Sequence, residues 1–200
     1  IPCRFATPHV LQSENKKAIL VGKYSKKGNR PKMSVLSEAN SNPYLKAHGL
    51  DLVDWRPWES ATIVEAKELG KPILLSIGFL GSWGCKTMLK ESFFNESTAE
   101  IINSSFFPIK VDKDSQPEIA KTYQIALQFL TRNPTGWPLT VFLDPENLMP
   151  FFGGTFFSEH ASQEVPAFSD LLLRITKSFE DQKKELAAQT LQLSENLAQL

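Results

Sequence analysis

Cysteine is scarce: Cys3 and Cys85 are the two in 200 residues. They allow one bridge at most, which excludes a fold stapled by disulfides. No uncharged apolar run reaches the length of about 18 residues that a membrane-crossing helix needs. The apolar core of a signal peptide is also missing near the start. Neither sign of charge prevails, with 22 Lys and Arg against 22 Asp and Glu. Histidine occurs three times, at His9, His48 and His160, far apart in the chain. A lone cysteine without nearby histidine falls short of a zinc ligand set, so neither metal nor cofactor is expected. What is present is a good core composition, 42% hydrophobic and 10% aromatic, which excludes disorder throughout. The first residue is Ile1 rather than Met, and the sequence reads as a segment of a longer protein.

The charges are unevenly placed. Residues 1–36 hold eight basic groups and one acid, Glu14, for a net of +7, and residues 37–200 carry −7. Seven Lys and Arg fall within 16–32, punctuated by Gly22, Gly28 and Pro31. This reads as a basic N-terminal arm. Such an arm can touch an acidic surface, but its one aromatic between 16 and 32, Tyr24, argues against a stacking single-strand binder, so nucleic acid is not the expected partner.

From residue 54 onward, strand-like and helix-like segments alternate. Ser60 can cap a helix that Gly70 ends, with Ile63, Ala66 and Leu69 inward. Residues 72–78 form a short apolar run between proline and glycine, a buried strand. The glycine-broken loop 79–84 then leads into a helix that starts near Ser82. A helix over 97–104 turns Ile101 and Ile102 inward. Residues 106–111 read as a second strand, and 116–130 as a helix opened by Pro117 and packed through Ile119, Tyr123, Ala126, Leu127 and Leu130. Strand 139–143, the turn at Asp144–Asn147 and strand 151–157 make a hairpin. Alternation of this kind ending in a hairpin predicts an α/β fold with a mixed central sheet flanked by helices. Trp55 and Trp58, with Pro57 between, read as a rigid plug at one end of the sheet. Asp112, Lys113 and Asp114 read as a solvated turn at a strand end.

From Ala167 the pattern is helical. Leu172, Phe179, Leu186, Leu193 and Leu200 recur every seven residues, with Ile175 and Leu197 between them and Lys183 and Gln189 breaking the seam. The stretch 166–200 therefore reads as a C-terminal amphipathic helix that packs on this domain or on further chain, with a weak dimer through its seam as the alternative. No Gly, Asn or Pro closes it, so a further domain is expected beyond Leu200.

Several strings, in this order, resemble the thioredoxin-like domain at the N-terminus of the spermatogenesis-associated protein family. They are NPYLKAHGLDLVDWRPW (42–58), KPILLSIG (71–78), MLKESF (88–93), IKVDKDSQPEI (109–119), GWPLTVFLDP (136–145) and PFFGGTFF (150–157). The resemblance implies a thioredoxin-like fold over 37–165, with the active loop running from the first central strand into a helix. It implies a cis-proline facing that loop, at Pro138, and a helical barrel downstream in the full-length protein. It also favours a reducing interior, the cytoplasm.

The departure lies in the loop. Relatives carry Cys-His-Trp-Cys-His, and this chain has Ser82-Trp83-Gly84-Cys85-Lys86. Against ordinary thioredoxins, the first cysteine falls on Ser82 and the buried carboxylate on Ser76. A Cys-x-x-Cys pair works because an exposed first thiol at a helix N-terminus is held as thiolate and the second resolves the mixed disulfide. Serine cannot form that disulfide, and no histidine stands close in sequence to activate it. Ser82 reads as a helix N-cap and Cys85 as the remaining candidate catalytic residue, one turn into the helix. Trp83 and Trp137, with Gly84, Lys86 and Pro138, are expected to border one groove for a protein or extended peptide. Two functions follow: a peptide- or partner-binding or regulatory scaffold without dithiol oxidoreductase activity, or a monothiol oxidoreductase acting through Cys85.

Overall fold

The computed structural model describes Leu36 and residues 41–161 and 166–181. The basic arm, apart from Leu36, lies outside the described residues, as do the heptad positions Leu186, Leu193 and Leu200. Five strands form one mixed sheet: β1 (Arg56–Pro57), β2 (Ile73–Gly78), β3 (Phe107–Asp112), β4 (Leu139–Leu143) and β5 (Pro150–Gly154), in the order β1-β3-β2-β4-β5. β1 and β2 run parallel to β3, β4 is antiparallel to β2, and β5 is antiparallel to β4. This is the thioredoxin-like arrangement that the resemblance implies. Among the described residues no helix is long and apolar enough to cross a membrane.

Among the described residues six helices surround the sheet: α1 (Pro43–His48), α2 (Ser60–Leu69), α3 (Trp83–Met88), α4 (Glu96–Ser105), α5 (Pro117–Thr131) and α6 (Phe168–Asp181). A π-helical turn, Leu89–Phe93, carries α3 on toward α4. β2 is buried at every position, because helices cover both of its faces. Its period-two alternation divides the core. Ile73, Leu75 and Ile77 face Ala66 of α2 and Ala120, Tyr123 and Leu127 of α5. Leu74 faces α1, α3, α4 and α6, and the strand geometry turns Ser76 and Gly78 the same way. That second face holds the functional site.

Local details differ from the sequence reading in physically clear ways. Ser60 is the first helical residue of α2, Glu59 is the cap position, and no side chain caps it. Gly70 ends α2 in the left-handed region, φ 60°, where glycine is strain-free. Leu130 is exposed, since α5 reaches past the sheet with its last turn, and Ile101 is only half-buried while Ile102 is fully so. Arg56 and Pro57, between the two tryptophans, do more than link them. They form the sheet's edge strand, a place where proline's missing N–H costs no ladder bond. Trp55 is fully buried beside it, and Trp58 packs edge-on to Tyr123. Asp112 is not solvated: it is buried and accepts hydrogen bonds from Asn42 Nδ2 and Ser115 Oγ.

The described part of the C-terminal helix is a layer of the domain. Phe168, Leu172, Ile175 and Phe179 are buried, Phe168 stacks on Phe157 at 5.2 Å, and α6 lies against α4. The first two seam positions, Leu172 and Phe179, therefore face this domain's own core.

Candidate functional site

β2 ends at Gly78, and the loop Phe79–Ser82 turns the chain into α3. Ser82 is the N-cap of α3: its Oγ accepts from Cys85 N–H at 3.2 Å, and its backbone is extended (φ −75°, ψ 124°). The hydroxyl thus satisfies one of the orphan N–H groups of the first turn. Ser82→Ala is expected to cost about 1 kcal/mol in a urea unfolding titration, with the fold unchanged.

The structure brings the predicted loop residues together. Trp83 is 78% exposed, projecting from the loop's crest. Gly84 sits against the chain segment before β4. A Cβ there would lie 3.0 Å from Pro138 Cδ and 3.0 Å from Trp137 O, so only glycine lets α3 come this close. The Trp137–Pro138 peptide bond is cis. Trp137 is half-buried and packs on both cores, while Lys86 is exposed on the outer side of α3. Lys113 Nζ stands 4.5 Å from the centroid of Phe79 and 6.0 Å from that of Trp137, and it pairs with Asp114 at 2.6 Å. Phe79, Leu80, Trp83 and Trp137 give this end of the sheet an aromatic and apolar rim with a lysine above it.

Cys85 is a free cysteine, 3% exposed. Above it lies Tyr44 of α1. The Tyr44 hydroxyl and Cys85 Sγ both crowd the point where a Cβ on Gly78 would sit. That hydroxyl is buried with no nitrogen or oxygen partner in hydrogen-bonding geometry; the group it faces is the Cys85 sulfur. Its pKa is raised well above 10, by burial first and by Cys85 and Asp112 next.

Next to Tyr44 is a buried polar cluster that the sequence reading did not single out. Lys110 lies mid-strand in β3, 1% exposed, and its Nζ donates to Ser76 Oγ at 3.0 Å. The β2–β3 register, which pairs Ser76 with Lys110, brings them together. The ammonium sits over three rings, 4.4 Å from Phe93, 4.5 Å from Trp55 and 5.5 Å from Tyr44. Asp51 is buried too, accepting from Val53 N–H and Trp55 Nε1–H and meeting His48 Nδ1 at 2.9 Å. Burial lifts the Asp51 carboxyl from 3.8 to about 8, opposed by Lys110 and by its hydrogen bonds. Burial lowers Lys110 from 10.5 to about 7, opposed by Asp51 and Cys85. Burial also pushes His48 well below 6.5, so it meets Asp51 as neutral imidazole. One signal for Lys110 was available: a lone lysine inside the apolar run FPIKV must either snorkel or be held by partners. Nothing comparable marked Asp51, which sits in a loop. Among the described residues no three His, Cys, Asp or Glu side chains gather as a metal site.

A family model described as Thioredox_DsbH, protein of unknown function, DUF255, matches residues 13–198. Spermatogenesis-associated protein 20 of Homo sapiens is 37% identical over 145 residues, covering 72% of this chain and 18% of that protein. Uncharacterized protein B0495.5 of Caenorhabditis elegans is also 37% identical over 145 residues, covering 72% of this chain and 20% of that one. The chain spans about a fifth of the length of these relatives. Among solved structures, a DsbH oxidoreductase aligns with TM-score 0.45 and 16% identity over 77% of this chain and 92% of its own. A disulphide isomerase from Xylella fastidiosa Temecula1 aligns with TM-score 0.44 and 20% identity over 58% of this chain and 86% of its own.

Proposed function

This chain belongs to the Thioredox_DsbH family, DUF255, and on that premise we propose that its loop region is a binding surface for an extended protein segment, without dithiol oxidoreductase activity. One observation carries the reading. At the helix N-terminus, where a dithiol enzyme needs an exposed thiol, a serine hydroxyl caps Cys85 N–H while the one described thiol lies buried beneath. The surface beside it supports docking of such a segment: Gly84 is packed on Trp137 and Pro138, and Trp83 stands out into solvent. Exposed aromatics on a rigid frame are the groups that anchor partners. Extended backbone bound beside Trp137 would place its side chains over Trp83 and Phe79.

The regulatory form of this proposal has the groove dock a segment of the same longer protein, such as a downstream barrel domain. Its compartment is the cytoplasm, where a dithiol-free domain loses nothing to reducing conditions.

The test uses reduced, carboxymethylated insulin B chain, which has no thiol, as a fluorescent extended probe. Saturable binding is expected, with Trp83→Ala weakening it about tenfold, the scale of an aromatic anchor. A companion assay with dithiothreitol and intact insulin should give no turnover above background. Clear turnover that Cys85→Ala abolishes would overturn the proposal.

The second reading, monothiol chemistry at Cys85, is favoured by one feature, the Tyr44 hydroxyl and the Lys110 charge beside the sulfur. Its burial opposes it. Iodoacetamide labelling of the native chain, compared with the unfolded chain at pH about 7, decides between them, because a buried thiol reacts only through opening.

A further inference from the structure

We infer that α1 is a lid over Cys85, and that the buried Asp51–Lys110 pair controls its opening. α1 is six residues long, and its inner face carries Tyr44, Leu45 and His48, all buried. Tyr44 covers the Cys85 sulfur and Gly78. His48 is fixed to Asp51, which also takes the Trp55 indole N–H, so the lid and the loop that follows it move as one piece. Beneath them is the Lys110 ammonium, with Ser76 Oγ as its hydrogen-bonding partner and ring faces for the rest of its surroundings. The lid's outer tie is the Asn42 cap, which accepts from Tyr44 and Leu45 N–H and donates to Asp112.

Opening is the natural response of this cluster to its own charges. With the lid closed, every charged state of Asp51 or Lys110 is held away from water; with it open, both are hydrated. The groups that face the pair are Tyr44 and His48 from α1, Asp54 and Trp55 from the following loop, Ser76 from β2, Cys85 from α3 and Phe93 from the π turn. Asp54 raises Asp51 slightly, and Cys85 raises Lys110. Asp51 holds its proton to about 8 when buried but only to 3.8 when hydrated. Between those values the open state binds fewer protons, so raising the pH favours opening. Lys110 loses its proton at about 7 when buried but at 10.5 when hydrated. Between those values the open state binds more protons, so raising the pH favours closure. The two slopes meet near neutrality. His48 is also held well below 6.5 when buried, so below that value the open state takes up a proton there and offsets the Asp51 slope. The lid is therefore looser up to pH about 8 and closes more firmly as the pH rises from there toward 10.5. Opening lifts Tyr44 from the sulfur and makes Cys85 reachable, whether or not the groove is occupied.

Hydrogen exchange of the 200-residue chain, in a Cys3→Ser background, tests this at pH about 5.5, about 7.5 and about 9.5. The reporters are the Lys46 and Gly49 amides, which bond to Asn42 O and Leu45 O, read relative to the amides of β2. Protection is expected to differ little between the two lower values and to rise about tenfold at the highest. Cys85 alkylation, divided by the rate of the urea-unfolded chain at each pH, should follow the inverse course. Lys110→Met should remove the alkaline rise, and Asp51→Asn should start it at lower pH. A flat wild-type profile overturns the inference, as does α1 opening that leaves Cys85 labelling unchanged, or an alkaline rise that Lys110→Met retains. Should either variant fail to fold by circular dichroism, the wild-type profile decides alone.

Discussion

Ser82→Cys is expected to raise insulin-reducing turnover with dithiothreitol to at least about a hundredfold above the wild-type rate. The reason is how much of the required geometry is in place. The Ser82 side chain already points at Cys85 N–H, so a thiol there would meet the positive end of α3 and be favoured as thiolate. Two cysteines three residues apart across the first turn of a helix fall within disulfide range. Cys85 stands one turn into the helix, free, with Gly84 packed on the segment that carries Pro138. The gain should vanish when Cys85→Ala is added, and mass spectrometry should find the oxidised variant lighter by two hydrogen atoms. Adding Ser76→Asp should raise turnover again, because a carboxylate there would meet Lys110 Nζ, now 3.0 Å from Ser76 Oγ. An oxidised variant with no bond between the introduced thiol and Cys85 would show that the loop differs from the one described. Loss of the cap hydroxyl costs about 1 kcal/mol, too little to unfold the domain.

Gly78→Ala is expected to lower unfolding free energy by about 3 kcal/mol, read from the urea midpoint at unchanged slope. The added methyl would occupy space already filled by the Tyr44 hydroxyl and the Cys85 sulfur. Neither can step aside easily. Tyr44 is buried against Lys110 and His48, and Cys85 is fixed in the first turn of α3 by its N–H bond to Ser82. Relief comes by displacing α1, so the same variant should also speed alkylation of Cys85 relative to the unfolded chain. Gly136→Ala is the control. Nothing lies within 4 Å of its added methyl, and its change should stay within about 0.5 kcal/mol. A mild effect at Gly78 equal to that control would mean that Tyr44 does not press on Cys85.

The two predictions draw on different kinds of legibility. Ser82 could be placed from its neighbours alone: a serine between a glycine-broken loop and a helical run is a capping position, and the structure shows the capping bond. The strands at 73–78, 107–112 and 139–143 were legible because apolar runs bounded by proline, glycine or turn residues have few other ways to be buried. Leu130 misled, since helical spacing marks a face but not where the covering sheet stops. Trp55 and Trp58 pack in the core as their type suggests, but the strand between them was not legible, because two ladder pairings are too short a signal for any period to reveal.

The sequence alone determined the class of fold, the order of its elements and the serine that stands at the loop's first position. Each of these rests on residue type and local spacing. A hydroxyl is not a sulfur whatever surrounds it, and period-two and period-three-to-four patterns report burial directly. Tertiary structure alone decided that Lys110 lies against Ser76, that Asp51 joins it through a loop 59 positions earlier, and that Tyr44 closes over Cys85. Those pairings depend on strand register and on a short helix folding back across the sheet. Proximity between residues so distant along the chain leaves no periodic trace, and the protonation of a buried group depends on the water and charge that proximity removes or supplies.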